Sequence, residues 1–316
     1  MSNKLTWKNP NTLADSIVIY RSTSKIDKSA LPAPLATLAK TEVEYIDTTN
    51  LLNVPYYYRI GRVSGLDIAL SPNICLQERS ELGAGPTTLL RGDFETGYFG
   101  SVSAADFFTT AELTTAVGLS TANSSIVEAN PTWHKFAHNG KIKYLPNKVL
   151  RVGTGINFFS LYNLGAAFGT DTTASELIQW NSSPAVTPKV QDKRVTRDNR
   201  TYRVRLLQFL KPGVVVTTGY NTEAYREQGK GSEFQQLINK MVYDSNAGGA
   251  LAWHNEPRLL NLLASDILSN NRAISCSFCQ LNMCFSFTQG SRLMTVDSPN
   301  VSSGSSAWYP VLELDE

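Results

Sequence analysis

Two of the chain's three histidines, His134 and His138, stand four residues apart in the stretch "WHKFAHNGKIKYLP". On a helix, side chains at i and i+4 lie about 5.4 Å apart along the axis and can grip one metal ion. On a strand the same pair lies about 13 Å apart, at ~3.3 Å per residue, and cannot. Position 135 is Lys, so the general base of an HExxH zinc protease is missing, and His254 is the distant imidazole that could complete a site. The second set of candidates is sulfur: Cys276, Cys279 and Cys284 in "RAISCSFCQLNMCFSF". Read as one extended strand, the segment turns Cys276 and Cys284 one way and Cys279 the other, which opposes a zinc knuckle and favours buried reduced thiols. With Cys75 they make four cysteines in 316 residues, too few for a disulfide framework. No Gly-x-Ser-x-Gly elbow is present, and "NLGAAFG" lacks both the Gly-Lys-Ser/Thr and the GxGxxG of phosphate loops.

Which of these chemistries is open depends on the elements that carry the residues. Asn139-Gly140 between "WHKFAH" and "KIKYLP" supplies the two positive φ angles of a type I′ turn, so the histidines are expected on a hairpin strand, too far apart to chelate together. The run Lys189 to Arg205, "KVQDKRVTRDNRTYRVR", holds seven basic residues against Asp192 and Asp198. A nucleic-acid patch would need those cations on one face; a solvated hairpin fits better, with "RDNR" as its turn and "TYRVRLL" as its return strand. Helix-like spacing marks three segments: "SAADFFTTAELTTAVGL" after a cap at Ser103, "INFFSLYNLG", and "GSEFQQLINKM" capped by Ser232 with Phe234, Leu237, Ile238 and Met241 on one face. "EPRLLNLLASDIL" is read as partly helical.

Length and composition bound the rest. At 316 residues two domains are expected, and 42% hydrophobic with 18% charged residues describes a globular chain whose surface is rich in Ser, Thr and Asn. A net charge of +2 exerts no global pull on nucleic acid or anionic membrane. No apolar core of signal-peptide length opens the sequence and no later run reaches ~18 apolar residues, so synthesis in a cytosol is expected. The glycosylation patterns at Asn123, Asn181 and Asn300 are then chance. The fold class is expected to be mostly β with some α. Residues 1–78 are expected to form a β-sandwich, 79–92 a linker, and 93–316 a larger α+β domain.

The short β-rich runs of the first part, "LTWKNP", "DSIVIYRS", "VEYIDTT" and "PYYYRIGRVSG", resemble a fibronectin type III domain over Lys4 to Leu76. The resemblance implies a docking or spacer role for residues 1–78. Trp7 looks like the core tryptophan of the early strand, and the Tyr-x-Tyr-x-aliphatic strand carries the corner tyrosine. The sequence starts almost at the tryptophan strand, so the usual first strand is missing or comes from elsewhere; a partner chain could complete it. Of the stripe Tyr56, Tyr57 and Tyr58, a core role plus a cross-strand surface pair is expected rather than a ligand site.

From Asp93 to Glu316 the order of "WHKFAHNGKIKYLP", "FSLYNLGAAFG", "TYRVRLLQF", "GSEFQQLINKM" and "AWYPVLEL" resembles a domain of tailed-bacteriophage virion and tail proteins. Its last strand also resembles that of the C-type-lectin and formylglycine-generating-enzyme type of fold. The resemblance implies a non-enzymatic virion component of the tail, neck or fibre. Its partners would be other virion proteins and copies of itself, with no nucleic acid and no membrane insertion. No catalytic residue, metal or cofactor is assigned, and the ligand-binding residues are unknown. One alternative is a receptor-binding protein in which Trp308 or Tyr309 stacks on host glycan, against a fold-closing role for the same strand. Another is a copper-dependent oxidase of formylglycine-generating type, from the interval between Cys279 and Cys284; the lead-in and the arginine-rich continuation of that family are absent here.

Overall fold

A computed structural model of the protein describes residues 2–8, 14–174, 178–179, 187–208, 231–239, 242–243, 262–263, 273–280, 283–287 and 306–315. The chain is mostly β with some α, as its alternating patterns require. It divides into two compact units. The smaller holds Met1–Leu82, Gly92–Gly97 and Ala137–Lys141; the larger holds Gly83–Arg91, Tyr98–Phe136 and Ile142–Glu316.

In the smaller unit β1 (Asn3–Thr6) pairs antiparallel with β4 (Glu44–Asp47). A second sheet runs β3 (Pro34–Ala39), β2 (Ser16–Ser22), β5 (Tyr56–Ser64) and β6 (Asp67–Leu70), with β7 (Ile74–Leu76) also on β5. Side chains alternate across each strand, so Leu5, Ile17, Ile19, Tyr56 and Tyr58 meet in one core, with Trp7 half-buried against it. Tyr57, one residue out of phase, lies half-buried opposite Cys75, so the tyrosine stripe divides between two faces as expected.

A polar pin runs through this core. Tyr58 donates its hydroxyl proton to Oδ2 of the fully buried Asp47 at 2.7 Å, Arg21 donates to the same oxygen at 2.7 Å, and Asn3 Nδ2 donates to the Tyr58 oxygen at 3.1 Å. The Thr49 amide and hydroxyl satisfy Asp47 Oδ1 at 2.9 and 2.8 Å. Burial pushes the Asp47 carboxyl up, but the hydrogen bonds from Tyr58, Thr49 and Arg21 prevail and hold it below the usual range.

The larger unit is built on a seven-stranded sheet with the strand order β15, β16, β22, β12, β11, β9, β8. These are β8 (Arg91–Gly92), β9 (Thr96–Val102), β11 (Trp133–His138), β12 (Lys141–Pro146), β15 (Arg194–Arg197), β16 (Arg200–Leu206) and β22 (Pro310–Leu314). A six-stranded sheet takes β10 (Ser124–Ile126), β13 (Arg151–Gly153), β14 (Ile178–Gln179), β19 (Ala273–Gln280), β20 (Met283–Phe287) and β21 (Ser306–Trp308). A short parallel pair joins β17 (Val242–Tyr243) to β18 (Leu262–Leu263). The expected partial helix of "EPRLLNLLASDIL" is thus a strand at Leu262–Leu263, its remainder lying outside the described residues.

Both expected hairpins form on their turn residues. Asn139 and Gly140 take φ of 50° and 74° between β11 and β12, and Asp198 and Asn199 take 49° and 62° between β15 and β16. Helix α1 (Thr110–Val117) starts later than its spacing suggested. Its cap is Thr109, in a reciprocal capping box with Glu112, while Ser103 closes a separate turn onto Asp106. Helix α2 (Phe158–Asn163) starts at Asn157. The third helix, Phe234–Asn239, is wound as a π-helix; Ser232 Oγ accepts from the Gln235 amide at 3.2 Å, and Phe234, Leu237 and Ile238 are buried as its spacing required. Met241 lies outside the described residues.

Candidate functional site

The seven-stranded sheet has two chemically different faces, both buried at β12 and β16. One is aromatic: the Phe107 ring lies 4.4 Å from Tyr144, 4.9 Å from Tyr202 and 5.5 Å from Trp133. Lys135 shares this face and is wholly buried. Its Nζ donates to the Pro86 carbonyl at 2.5 Å and stands 5.0 Å from the centre of the Phe99 ring. An ammonium with a carbonyl acceptor and π faces around it retains partners without water.

The alternate positions, Lys143 on β12, Arg205 on β16 and Glu313 on β22, carry charge to the opposite face, where Glu233 meets them from the chain just before the π-helix. Arg205 holds Glu233 through two nitrogens, at 2.7 and 2.6 Å, and Glu313 Oε2 at 3.0 Å. Lys143 Nζ donates to Glu233 Oε1 at 2.8 Å, and the Gln208 amide completes Glu233 Oε2 at 3.0 Å. Burial pushes the Glu313 carboxyl up, but Arg205 and Lys143 outweigh it and hold it below the usual carboxylate range. Two cations and two carboxylates balance, and the fork of Arg205 fixes the geometry of Glu233.

At the exposed end of β16 the pattern continues in water. Arg194 contacts Asp171, Asp192 and Asp315 at 3.0, 2.9 and 2.5 Å, and Arg203 contacts Asp171 and Asp315 at 3.1 and 3.4 Å. Arg197 reaches Glu112 at 3.1 Å and stands 5.9 Å from the Phe108 ring. Four arginines of the basic run are therefore engaged by carboxylates of the same unit, and Arg205 points inward, so the run presents no single row of free cations.

The histidines are on a strand, as the turn required. His134 is 8% exposed, with Nδ1 3.2 Å from the Tyr98 hydroxyl, and its Nε2 meets no hydrogen-bond partner among the described residues. Burial lowers its pKa to about 4, so the ring is neutral at pH 7. His138 is also buried, and His254 lies outside the described residues. Among the described residues no cluster of His, Cys, Asp and Glu could hold a metal ion.

For the cysteines the single-strand reading is corrected. The segment forms two antiparallel strands, β19 and β20, instead of one, and their register sets Cys279 directly opposite Cys284. Trp308 and Tyr309 are fully buried, and the Tyr309 hydroxyl donates to the Pro146 carbonyl at 2.7 Å. They close the fold and are not displayed to a glycan. Of the glycosylation patterns only Asn123 is described, in a turn at φ 54°.

The buried quartet was not read from the sequence. Its signal is charge inside strands with apolar flanks, "KIKYL", "RVRLL" and "VLEL", which for a sheet covered on one side would mean a wet face.

Family models, curated proteins and solved structures were all compared with the chain. It matches none of them.

Proposed function

We propose that this chain is a structural component of a tailed-bacteriophage particle, in the tail, neck or fibre, working by protein–protein assembly and not by catalysis. The smaller unit carries the reading. Its two-stranded sheet β1–β4 faces β3-β2-β5-β7 across the core that Trp7 borders, an arrangement that supports a fibronectin type III-like docking module. In the larger unit, a lectin-like virion domain is supported by the closing segment: β22 sits between β16 and β12, in the interior of the sheet. Burial of Trp308 and Tyr309 favours assembly over glycan stacking by those residues.

Mass spectrometry of purified particles tests the reading. The chain is expected in the particle at a stoichiometry set by its symmetry; recovery from the lysate alone overturns it. A copper-dependent thiol oxidase remains as a second reading on one observation, the register of Cys279 opposite Cys284. Tight stoichiometric Cu(I) binding that is lost in Cys279→Ser would favour it over a purely structural role.

A further inference from the structure

We propose that the open edge of β1 is a self-association site, at which two copies pair β1 with β1 antiparallel about a twofold axis through Leu5. This deepens the assembly reading and rests on it for its biological purpose. The geometry stands on the register of the small sheet.

Trp7 donates its amide to the Val43 carbonyl at 3.0 Å, which makes Trp7–Val43 a hydrogen-bonded pair. Pairs alternate along an antiparallel ladder, so Leu5–Tyr45 is bonded as well, whereas Lys4–Ile46 and Thr6–Glu44 are the non-bonded pairs. The backbone N–H and C=O groups of Lys4 and Thr6 therefore point away from β4. No strand lies on that side among the described residues.

An edge of this kind is a template for another strand, and natural proteins often guard it with lysine. Here the lysine is paired within its own sheet, Lys4 Nζ lying 2.8 Å from Glu44, and keeps its charge. Charge then selects the register. An axis through Lys4 would set Lys4 against the same residue of the second copy, and an axis through Thr6 would set Lys4 against Lys8; both oppose like charges. An axis through Leu5 sets Lys4 against Thr6 of the partner subunit, and the converse, so the groups that point outward exchange hydrogen bonds in both pairs. The exposed row of the joined sheet reads Glu44, Thr6, Lys4, Ile46, with no like charges adjacent. Such an edge is its own complement, the condition for an isologous twofold contact, and a second copy fits it without any further segment.

The test is the mass of the full chain in solution by light scattering or sedimentation, before and after Thr6→Pro. The Thr6 N–H points outward and Leu5 before it is already extended, so proline removes the outward donor and leaves the β1–β4 ladder intact. The wild type is expected at twice 34.7 kDa and Thr6→Pro at 34.7 kDa with an unchanged circular dichroism spectrum. A wild type of any other mass at its highest soluble concentration overturns the proposal, as does a Thr6→Pro variant that stays dimeric. Should Thr6→Pro fail to fold, Lys4→Cys combined with Thr6→Cys gives the answer: an intermolecular disulfide under mild oxidation supports the pairing, and its absence overturns it. A monomer that is nevertheless recovered from purified particles would overturn the edge pairing and leave the assembly reading standing.

Discussion

His134 is neutral because the fold buries its ring, with Nδ1 beside the Tyr98 hydroxyl of β9. Its folded pKa of about 4 lies below the 6.5 of an exposed imidazole, so between those values the unfolded chain binds the extra proton. Stability from this group is complete above pH 6.5 and falls as the pH drops toward 4, by about 3 kcal/mol in all. Urea unfolding at pH 7 and pH 4.5 should show the loss in the wild type and a smaller one in His134→Phe; equal losses would remove His134 as the cause. At the turn, Gly140 has φ 74°, and an added Cβ would come within 3.1 Å of Gln77 Oε1. Gly140→Val is therefore expected to cost at least about 2 kcal/mol, read from the midpoint of denaturant unfolding, because a β-branched residue resists positive φ. A metal assay of His134→Ala with His138→Ala should match the wild type, since a strand holds the two rings too far apart to share an ion.

At the scale of elements, the quartet fastens the π-helix to the main sheet. Removing one member leaves an uncompensated buried charge, so Glu233→Ala is expected to destabilise the larger unit by about 3–5 kcal/mol. Replacing Lys143, Arg205, Glu233 and Glu313 together by apolar residues of similar volume should cost far less, because the penalty lies in the orphaned charge. Thermal unfolding of the two variants separates a fastening role from a merely tolerated one. In the smaller unit Tyr58→Phe removes one donor to Asp47 and the acceptor of Asn3, and should cost about 1–3 kcal/mol, with β1, β2, β4 and β5 loosened together because their side chains are linked through that hydroxyl and carboxylate. Hydrogen exchange in those strands would show whether the loss is shared.

For the whole molecule, local signals were legible wherever one residue type determines one backbone state. Asn139-Gly140 and the Asp198-Asn199 turn announced their hairpins, the alternating runs announced the strands, and the spacing of Phe234, Leu237 and Ile238 announced a buried helical face. These depend on φ preferences and on side-chain periodicity, which a chain carries before it folds. What the residues of one strand meet across a sheet is different, because the partner is set by register between segments far apart in sequence. Glu233 lies twenty-eight residues from Arg205 and ninety from Lys143, and no local pattern couples them. Whether Cys279 and Cys284 stand apart or opposite depended on the antiparallel pairing of β19 with β20, and whether Trp308 and Tyr309 are displayed or buried depended on the strands that cover them. The sequence by itself determined a β-rich chain with its turns and its histidines on a strand. Only the tertiary structure decided which charges are buried together and which strands pair, because desolvation and pairing are properties of neighbours in space.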